Sequence, residues 1–323
     1  MKAIQVHTPG GAEQLQLVEV PVPQPGPRQA LVRVAVSGVN FIDIYFRTGL
    51  YKSDIPIAIG CEGAGTVEAV GAEVTEVAPG DRVAWAMPRG SYAEYTAIAA
   101  AQLVPIPAHV DFSSAAAAML QGMTAHYLTH STYALKAGDS CLVHAAAGGA
   151  GGLVAQAAKM LGARVFGTVS TEAKAAVARG NGVDDVILYT QVEFDAEVRR
   201  LTGGKGVDVV YDSVGRTTFE KSLNCLRPRG LLALFGQSSG SVPPFDITGL
   251  NTKGSLFLSR PSLGHYLLTR EELLWRAGDV LKWIEEGKLR PRVERVYPLA
   301  DAAAAHRDLE GRSTTGKLLL AVS

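Results

Sequence analysis

The sequence predicts an α/β fold in which a doubly wound parallel sheet follows a β-rich region, and three observations carry that prediction. A glycine-rich run, His144-Ala145-Ala146-Ala147-Gly148-Gly149-Ala150-Gly151-Gly152, sits between an apolar strand pattern and an amphipathic helix pattern. From Ser140 onward, strand and helix patterns alternate. Before about Ser113 the chain reads instead as short strands broken by glycine and proline turns.

In the first third, Lys2 to Val6, Leu15 to Glu19 and Gln29 to Val39 alternate or run β-branched, separated by Gly10-Gly11 and the proline-rich stretch Pro21 to Pro27. Further strands are predicted at Gly65 to Val70, Arg82 to Trp85 and Tyr92 to Ile98, with Pro79-Gly80-Asp81 as a turn. An alanine-rich helix pattern starts near Ser113 and runs through Leu120, then continues from Met123 to Ser131.

The α/β half begins with a strand at Ser140 to Ala145, a helix at Leu153 to Leu161 ending at Gly162, and a strand at Arg164 to Val169, the length of one βαβ crossover. Alternation continues with helix Glu172 to Arg179, strand Asp185 to Leu188, helix Glu193 to Leu201, strand Val207 to Asp212, helix Phe219 to Cys225 and strand Leu231 to Phe235. The strand Ser255 to Ser259 carries the unbroken apolar run Leu256-Phe257-Leu258, which reads either as a pairing surface for a second subunit or as a strand covered within the chain. A long helix, Arg270 to Glu286, a strand, Arg292 to Tyr297, a helix, Ala300 to Glu310, and a strand, Lys317 to Val322, complete the chain.

The glycine run in this context predicts a dinucleotide site. Gly148 lets the backbone approach a pyrophosphate, Gly151 lets the helix lie close on the strands, and the free N–H groups of the helix start face phosphate charge. Ala146 stands where the usual fingerprint has a glycine. The second strand of such a fold, when it prefers NAD, ends in an acid that binds the ribose 2′-hydroxyl. Here it ends Gly167-Thr168-Val169-Ser170-Thr171, with Lys174 one helical turn on, a set that suits the 2′-phosphate of NADPH. Glu172 lies between them, and in a first helical turn it can face solvent and favour the helix dipole.

At 323 residues, two domains are expected, and the 31 basic and 31 acidic residues leave no net attraction for nucleic acid or an anionic membrane. Cys61, Cys141 and Cys225 form no paired framework and no Cys-x-x-Cys unit, which suits a reducing compartment. The N-terminus has no basic start followed by an apolar core, and no apolar run is long enough to cross a bilayer, so a cytoplasmic protein is expected.

The arrangement resembles the medium-chain dehydrogenase/reductase superfamily, and within it the zinc-free quinone oxidoreductase, or zeta-crystallin-like, branch. The matching pieces are Val39-Asn40-Phe41-Ile42-Asp43, Arg47-Thr48-Gly49-Leu50-Tyr51, Gly60-Cys61-Glu62-Gly63-Ala64-Gly65, Pro79-Gly80-Asp81-Arg82-Val83, the glycine loop, Val210-Tyr211-Asp212-Ser213-Val214-Gly215 and Phe235-Gly236-Gln237-Ser238-Ser239-Gly240. The resemblance implies a Rossmann doubly wound sheet at 122–265 inserted into a β-rich GroES-like catalytic domain made of 1–121 and the C-terminal return 266–323. It implies NADPH contacts from Asn40, Phe41, Ile42, Thr124, Gly149, Ala150, Ser170, Lys174, Tyr189, Ser213, Phe235, Gln237 and Arg312, joined by Gly148 and Gly151 from the loop itself. A homodimer is expected, with the apolar strand Ser255 to Ser259 as the candidate pairing surface.

Zinc-dependent relatives use Cys, His or Glu, and Cys ligands around the reacting oxygen. This chain has Val39-Asn40 where the first cysteine falls, Cys61 where the histidine falls, and no four-cysteine lobe, so no metal is expected. His126 and His130 share a helix face at ligand spacing, but no glutamate follows His126. Without a Lewis acid the substrate must bring its own activation, as a quinone does and, more weakly, an enone, alkenal or enoyl thioester. Tyr45 and Tyr51 are the candidate hydrogen-bond donors to a developing oxyanion, and Asn40 the candidate for orienting substrate or ribose. A reading from another class remains open, an NADPH-binding structural or RNA-binding protein; the balanced charge and the lack of a basic aromatic stripe speak against it.

Overall fold

In the computed structural model, which describes residues 1–322, the chain forms two compact units: Met1–Met123 with Leu267–Ser323, and Thr124–Tyr266. The junctions therefore fall two residues and one residue later than 121/122 and 265/266.

The first unit begins with β1 (Lys2–Val6), β2 (Gln16–Glu19), β3 (Gln29–Val39), α1 (Phe41–Arg47), β4 (Ile57–Ala58), β5 (Glu62–Val70), β6 (Arg82–Ala86), β7 (Tyr95–Ala99) and β8 (Val104–Pro105). The helix α2 (Phe112–Tyr127) follows, extended by a π-helical turn over Leu128–Thr132. In the middle of the long strand β3 the buried Val32 and Val34 alternate with the more exposed Arg33 and Ala35, while Ala30 to Val32 and Ser37 to Val39 are buried on both faces. It pairs antiparallel with β5 and β7. Around it Val32, Val34, Val83, Trp85 and Ile98 form one apolar cluster.

The second unit holds β9 (Ser140–Val143), α3 (Gly149–Met160), β10 (Arg164–Val169), α4 (Glu172–Gly180), β11 (Asp185–Leu188), α5 (Phe194–Leu201), β12 (Val207–Asp212), α6 (Phe219–Asn224), β13 (Leu226–Leu234), α7 (Thr248–Thr252) and β14 (Phe257–Ser259). Its six strands are all parallel in the order β11-β10-β9-β12-β13-β14, a doubly wound sheet whose strand order reverses between β9 and β12. Leu142, Phe166, Ile187, Val210 and Leu232 fill its core, which is why these strands read as nearly continuous apolar runs.

The chain returns to the first unit with α8 (Arg270–Glu285), β15 (Val293–Pro298), α9 (Ala302–Glu310) and β16 (Lys317–Ala321). Strand β16 pairs antiparallel with β3, Leu318 opposite Val39, and gives the seven-stranded sheet the path β15-β16-β3-β5-β6-β8, with β7 on β3. A second apolar cluster there joins Val6, Ile57, Tyr92, Leu318 and Leu320 to Ala302 and Ala305 of α9.

Several elements differ from expectation. α3 starts at Gly149, four residues before Leu153, so Gly149, Ala150 and Gly151 are its first turn and not a loop. α1 was not foreseen: Phe-Ile-Asp-Ile-Tyr-Phe-Arg alternates like a strand, and only its cap turns it into a helix. β14 is confined to Phe257–Ser259 and is the last strand of its sheet. Leu256 is buried, but Phe257 is 60% and Leu258 40% exposed, so the reading in which this strand is covered within the chain does not hold.

Candidate active site

In the second unit the chain leaves β9 through His144 and a left-handed residue, Ala145, at φ +51. Gly148 N–H donates to the Ala145 carbonyl at 2.8 Å, and Gly148 is the N-cap of α3 without any side-chain cap. The first N–H groups of the helix are thus left to a ligand, at the positive end of a twelve-residue dipole. A side chain at Gly151 would collide with the Ala145 and His144 carbonyls, and one at Gly152 would come 2.7 Å from Asn181 Nδ2. These glycines let α3 sit against the strand ends. Asn181 Nδ2 also donates to the Ala146 carbonyl at 3.1 Å, fixing the loop from α4.

A buried polar chain lies beneath the loop, and no sequence signal announced it. Thr168 on β10 and Ser222 on α6 flank the His144 ring at 2.9 Å each, and Ser222 Oγ donates to Asp212 Oδ2 at 3.0 Å. Because the serine proton goes to the carboxylate, Nε2 of His144 is the donor and Nδ1 accepts from Thr168. Burial lowers the His144 pKa and keeps the ring neutral. Asp212 also accepts from the Val214 and Gly215 N–H groups and from Thr218 Oγ1. The chain ties β9, β10 and β12 together at the ends that carry the loops.

Those same ends gather the other expected residues of this unit. Ser170 follows β10, Thr171 caps α4 by accepting from Lys174 N–H at 3.3 Å, and Lys174 lies in the first turn. Val169 pairs with Leu188, so Ser170 and the half-exposed Tyr189 leave adjacent strands side by side. Glu172 is exposed, and no acid ends β10. Ser213 follows β12, and Phe235 and Gln237 follow β13; Phe235 N–H donates to the Asp212 carbonyl and Ser238 N–H to that of Ser213. Thr124 is buried in α2.

In the first unit, Asn40 ends β3 as the N-cap of α1, and its backbone N–H donates to Asp43 Oδ2 at 2.8 Å in a capping box. Its side chain is saturated. Nδ2 donates to Glu62 Oε2 at 2.8 Å and to the Gly38 carbonyl at 3.4 Å, while Oδ1 accepts from Lys317 Nζ at 2.7 Å and Gln121 Nε2 at 3.2 Å. An amide makes at most four such bonds, so the expected use of this side chain to orient substrate or ribose has no spare valence. Phe41 and Ile42 are half-buried at the start of α1.

Tyr45 and Tyr51 pack edge-on, ring centroids 5.2 Å apart, and Phe46 closes on Tyr51 at 5.6 Å. The turn is held by Tyr51 N–H donating to the Tyr45 carbonyl at 2.9 Å. Both rings are half-buried. The Tyr51 hydroxyl has no hydrogen-bond partner among the described residues, which leaves it a donor for a ligand.

α1 is pinned from behind by a second buried chain that sequence reasoning missed. Arg47 donates two bonds to Glu310 of α9, at 2.7 and 3.0 Å, and one to His306 Nδ1 at 3.3 Å. An arginine only donates, so His306 carries its proton on Nε2 and donates a hydrogen bond to Tyr92 Oη at 3.1 Å, whose O–H donates to Asp43 Oδ2 at 3.3 Å. Burial, with the Arg47 charge, pushes the His306 pKa down to about 3. Burial pushes Asp43 up to about 7 against the pull of its hydrogen bond from Asn40 and of Lys317. Arg312 is exposed in the turn after α9 at φ +53. Asn40, Phe41, Ile42, Tyr45, Tyr51 and Arg312 thus belong to one unit, and Thr124 with the residues from Gly148 to Gln237 to the other.

Comparison with known proteins decides the family. The alcohol dehydrogenase GroES-like domain matches residues 26–108, and the zinc-binding dehydrogenase family matches residues 181–320. A quinone oxidoreductase of Pseudomonas aeruginosa is 46% identical over 99% of both chains, and a 2-haloacrylate reductase of a Burkholderia species is 43% identical over 98% of both. The crystal structure of Escherichia coli quinone oxidoreductase complexed with NADPH superposes with a TM-score of 0.98 at 43% identity, covering all of both chains. The chain belongs to the quinone oxidoreductase family of the medium-chain dehydrogenase/reductase superfamily. Its first unit is the GroES-like, β-rich part of that fold, and its second the Rossmann sheet.

One of the matching families is described as zinc-binding, and this quinone oxidoreductase family member does not present the donors for zinc. The Cys61 thiol is pushed well up by burial and by the neighbouring Asp43, which opposes the thiolate that zinc requires. The Glu62 carboxylate is already held by the Lys317 ammonium at 2.5 Å. His126 and His130 stack at 4.3 Å, and His130 Nδ1 is engaged with Thr129. No group of three or more His, Cys, Asp or Glu side chains among the described residues is arranged for a metal ion.

Proposed function

We propose that this protein reduces quinones with NADPH, without a metal, by hydride transfer. The supporting observation is the adenosine-end set of the second unit: Ser170, Thr171 and Lys174 at the end of a strand that carries no acid, below an uncapped glycine helix start. A 2′-phosphate meets a cation and hydroxyls there, and the pyrophosphate meets backbone N–H groups. Bound NADPH supplies the hydride from C4 of its nicotinamide. The protein's own part is positioning and electrostatics: Tyr51, a phenol held edge-on by Tyr45 and Phe46, donates a hydrogen bond to the oxygen on which charge develops. No metal polarises that oxygen, so the electrophile must be activated already, which favours a quinone over a simple aldehyde.

Reduction of a conjugated carbonyl uses the same apparatus, and the similarity to a 2-haloacrylate reductase gives that second reading its own support. We assign NADPH binding chiefly to the second unit and substrate chemistry to the first. A homodimer fits the open outer edge of β14, whose exposed Phe257 and Leu258 would add a strand from a second copy. The cytoplasmic reading rests on cysteine use, all three thiols being free and buried. Among the described residues, no helix is long and apolar enough to cross a membrane.

The test is NADPH oxidation by chelator-treated protein with a benzoquinone, a naphthoquinone, an enone and an aliphatic aldehyde. Quinone turnover that survives chelation is expected. Turnover of the aldehyde alone, or loss of all activity with the chelator, would overturn the proposal, and an enone preferred over both quinones would favour the second reading.

A further inference from the structure

Glu62 is the junction of four elements. From the start of β5 its Oε1 accepts from Leu120 N–H inside α2 at 2.5 Å, and its Oε2 accepts from Asn40 Nδ2 and from Lys317 Nζ of β16. The lysine and glutamate side chains are 1% and 0% exposed, and Asn40 is 3% exposed. Gln121 adds a buried Oε1 with no partner among the described residues. Glu62 Oε2 and Asn40 Oδ1 thus converge on the single Lys317 ammonium in a site closed to solvent. A side chain at Gly38 would collide with the Glu62 carboxylate, so β3 is also shaped around it.

We propose that Lys317 is a positioning residue whose ammonium orients Asn40 and with it the first turn of α1. Lys317 does not touch substrate. It acts through Asn40, whose amide it holds at 2.7 Å and whose backbone caps the helix that carries Phe41, Ile42 and Tyr45. A shift of α1 would move the Tyr45–Tyr51 wall, and small misplacements of such groups cost rate steeply. The inference rests on the proposed reductase function for its kinetic arm only.

The test compares Lys317→Met, Glu62→Gln and the double variant. Each single change leaves a buried group without its partner and is expected to lower Tm by roughly 10 °C, while the double variant, free of unpaired charge, recovers most of that loss. The kcat with quinone is expected to stay on the order of tenfold low in Lys317→Met and in the double variant alike. A double variant that regains kcat together with Tm would overturn the proposal, since Lys317 would then be a stabilising residue only. Hydrogen exchange of the Leu120 backbone amide and the Asn40 side-chain amide, measured without any substrate, gives an independent reading. Exchange on the order of tenfold faster in the double variant supports positioning, and unchanged exchange overturns it. If wild-type protein proves inert with every acceptor, the reductase reading falls while this exchange measurement still decides the role of Lys317.

Discussion

Lys317 and Glu62 meet at 2.5 Å in the interior although 255 residues separate them along the chain. The antiparallel register of β16 on β3, Leu318 opposite Val39, brings the start of one strand beside Asn40 at the end of the other. The pair therefore reports on the return of the C-terminal segment into the first unit.

Cofactor choice is testable at Lys174. Replacing Lys174 with Ala removes the cation beside the expected 2′-phosphate and is expected to raise the Kd for NADPH roughly tenfold to a hundredfold, with little effect on NADH. Fluorescence titration of both cofactors checks this; equal losses would show that Lys174 does not read the phosphate.

Tyr51→Phe removes one hydroxyl and keeps the ring packing against Tyr45 and Phe46. The expected result is a kcat lower by about tenfold to a hundredfold with NADPH affinity unchanged, the pattern of a donor that acts on developing charge. Steady-state kinetics beside a binding titration separates the two quantities, and an unchanged kcat would leave Tyr51 a packing residue.

The Asp43 and His306 pair sets a pH dependence of stability. Asp43 has its folded pKa raised to about 7, so the folded state holds an extra proton and stability falls as pH rises from about 4 towards 7. His306, lowered to about 3, acts oppositely: the unfolded state holds the extra proton, and stability is lost as pH falls from about 6.5 towards 3. The two slopes offset each other between about 4 and 6.5. Asp43→Asn unmasks the histidine, so the stability of the variant relative to wild type should rise with pH across that window, by at most about 1.4 kcal/mol per pH unit. Urea denaturation at a series of pH values measures it, and parallel profiles would contradict the assignment.

Strand addition at β14 is tested by Leu258→Pro, which removes an N–H and strains the exposed edge, and by Phe257→Lys, which places charge on it. Light scattering should show a dimer in wild type and a monomer in both variants. A dimer that survives both changes would place the subunit contact elsewhere.

Much of the second unit was legible in the chain because parallel strands covered on both faces are written as apolar, β-branched runs. Arg164–Val169, Asp185–Leu188 and Val207–Asp212 were read with their observed bounds. Helix boundaries were less legible where glycine crosses them: α3 begins on Gly149, a poor helix former that tertiary packing overrides. α1 was missed because seven residues are too few to show a period, and its stability comes from the Asn40 and Asp43 cap.

By itself, the sequence determined the order of the strands in the second unit, the glycine cradle and the absence of an acid after β10, because these are local patterns of size, charge and backbone freedom. Only the tertiary structure decided that the Asn40 amide is used up internally, that His144 and Asp212 brace the cradle, and that Lys317 closes on Glu62. Those partners come from elements distant in the chain, and the hydrogen bonds among them exist only once packing has excluded the water that would otherwise satisfy each group separately.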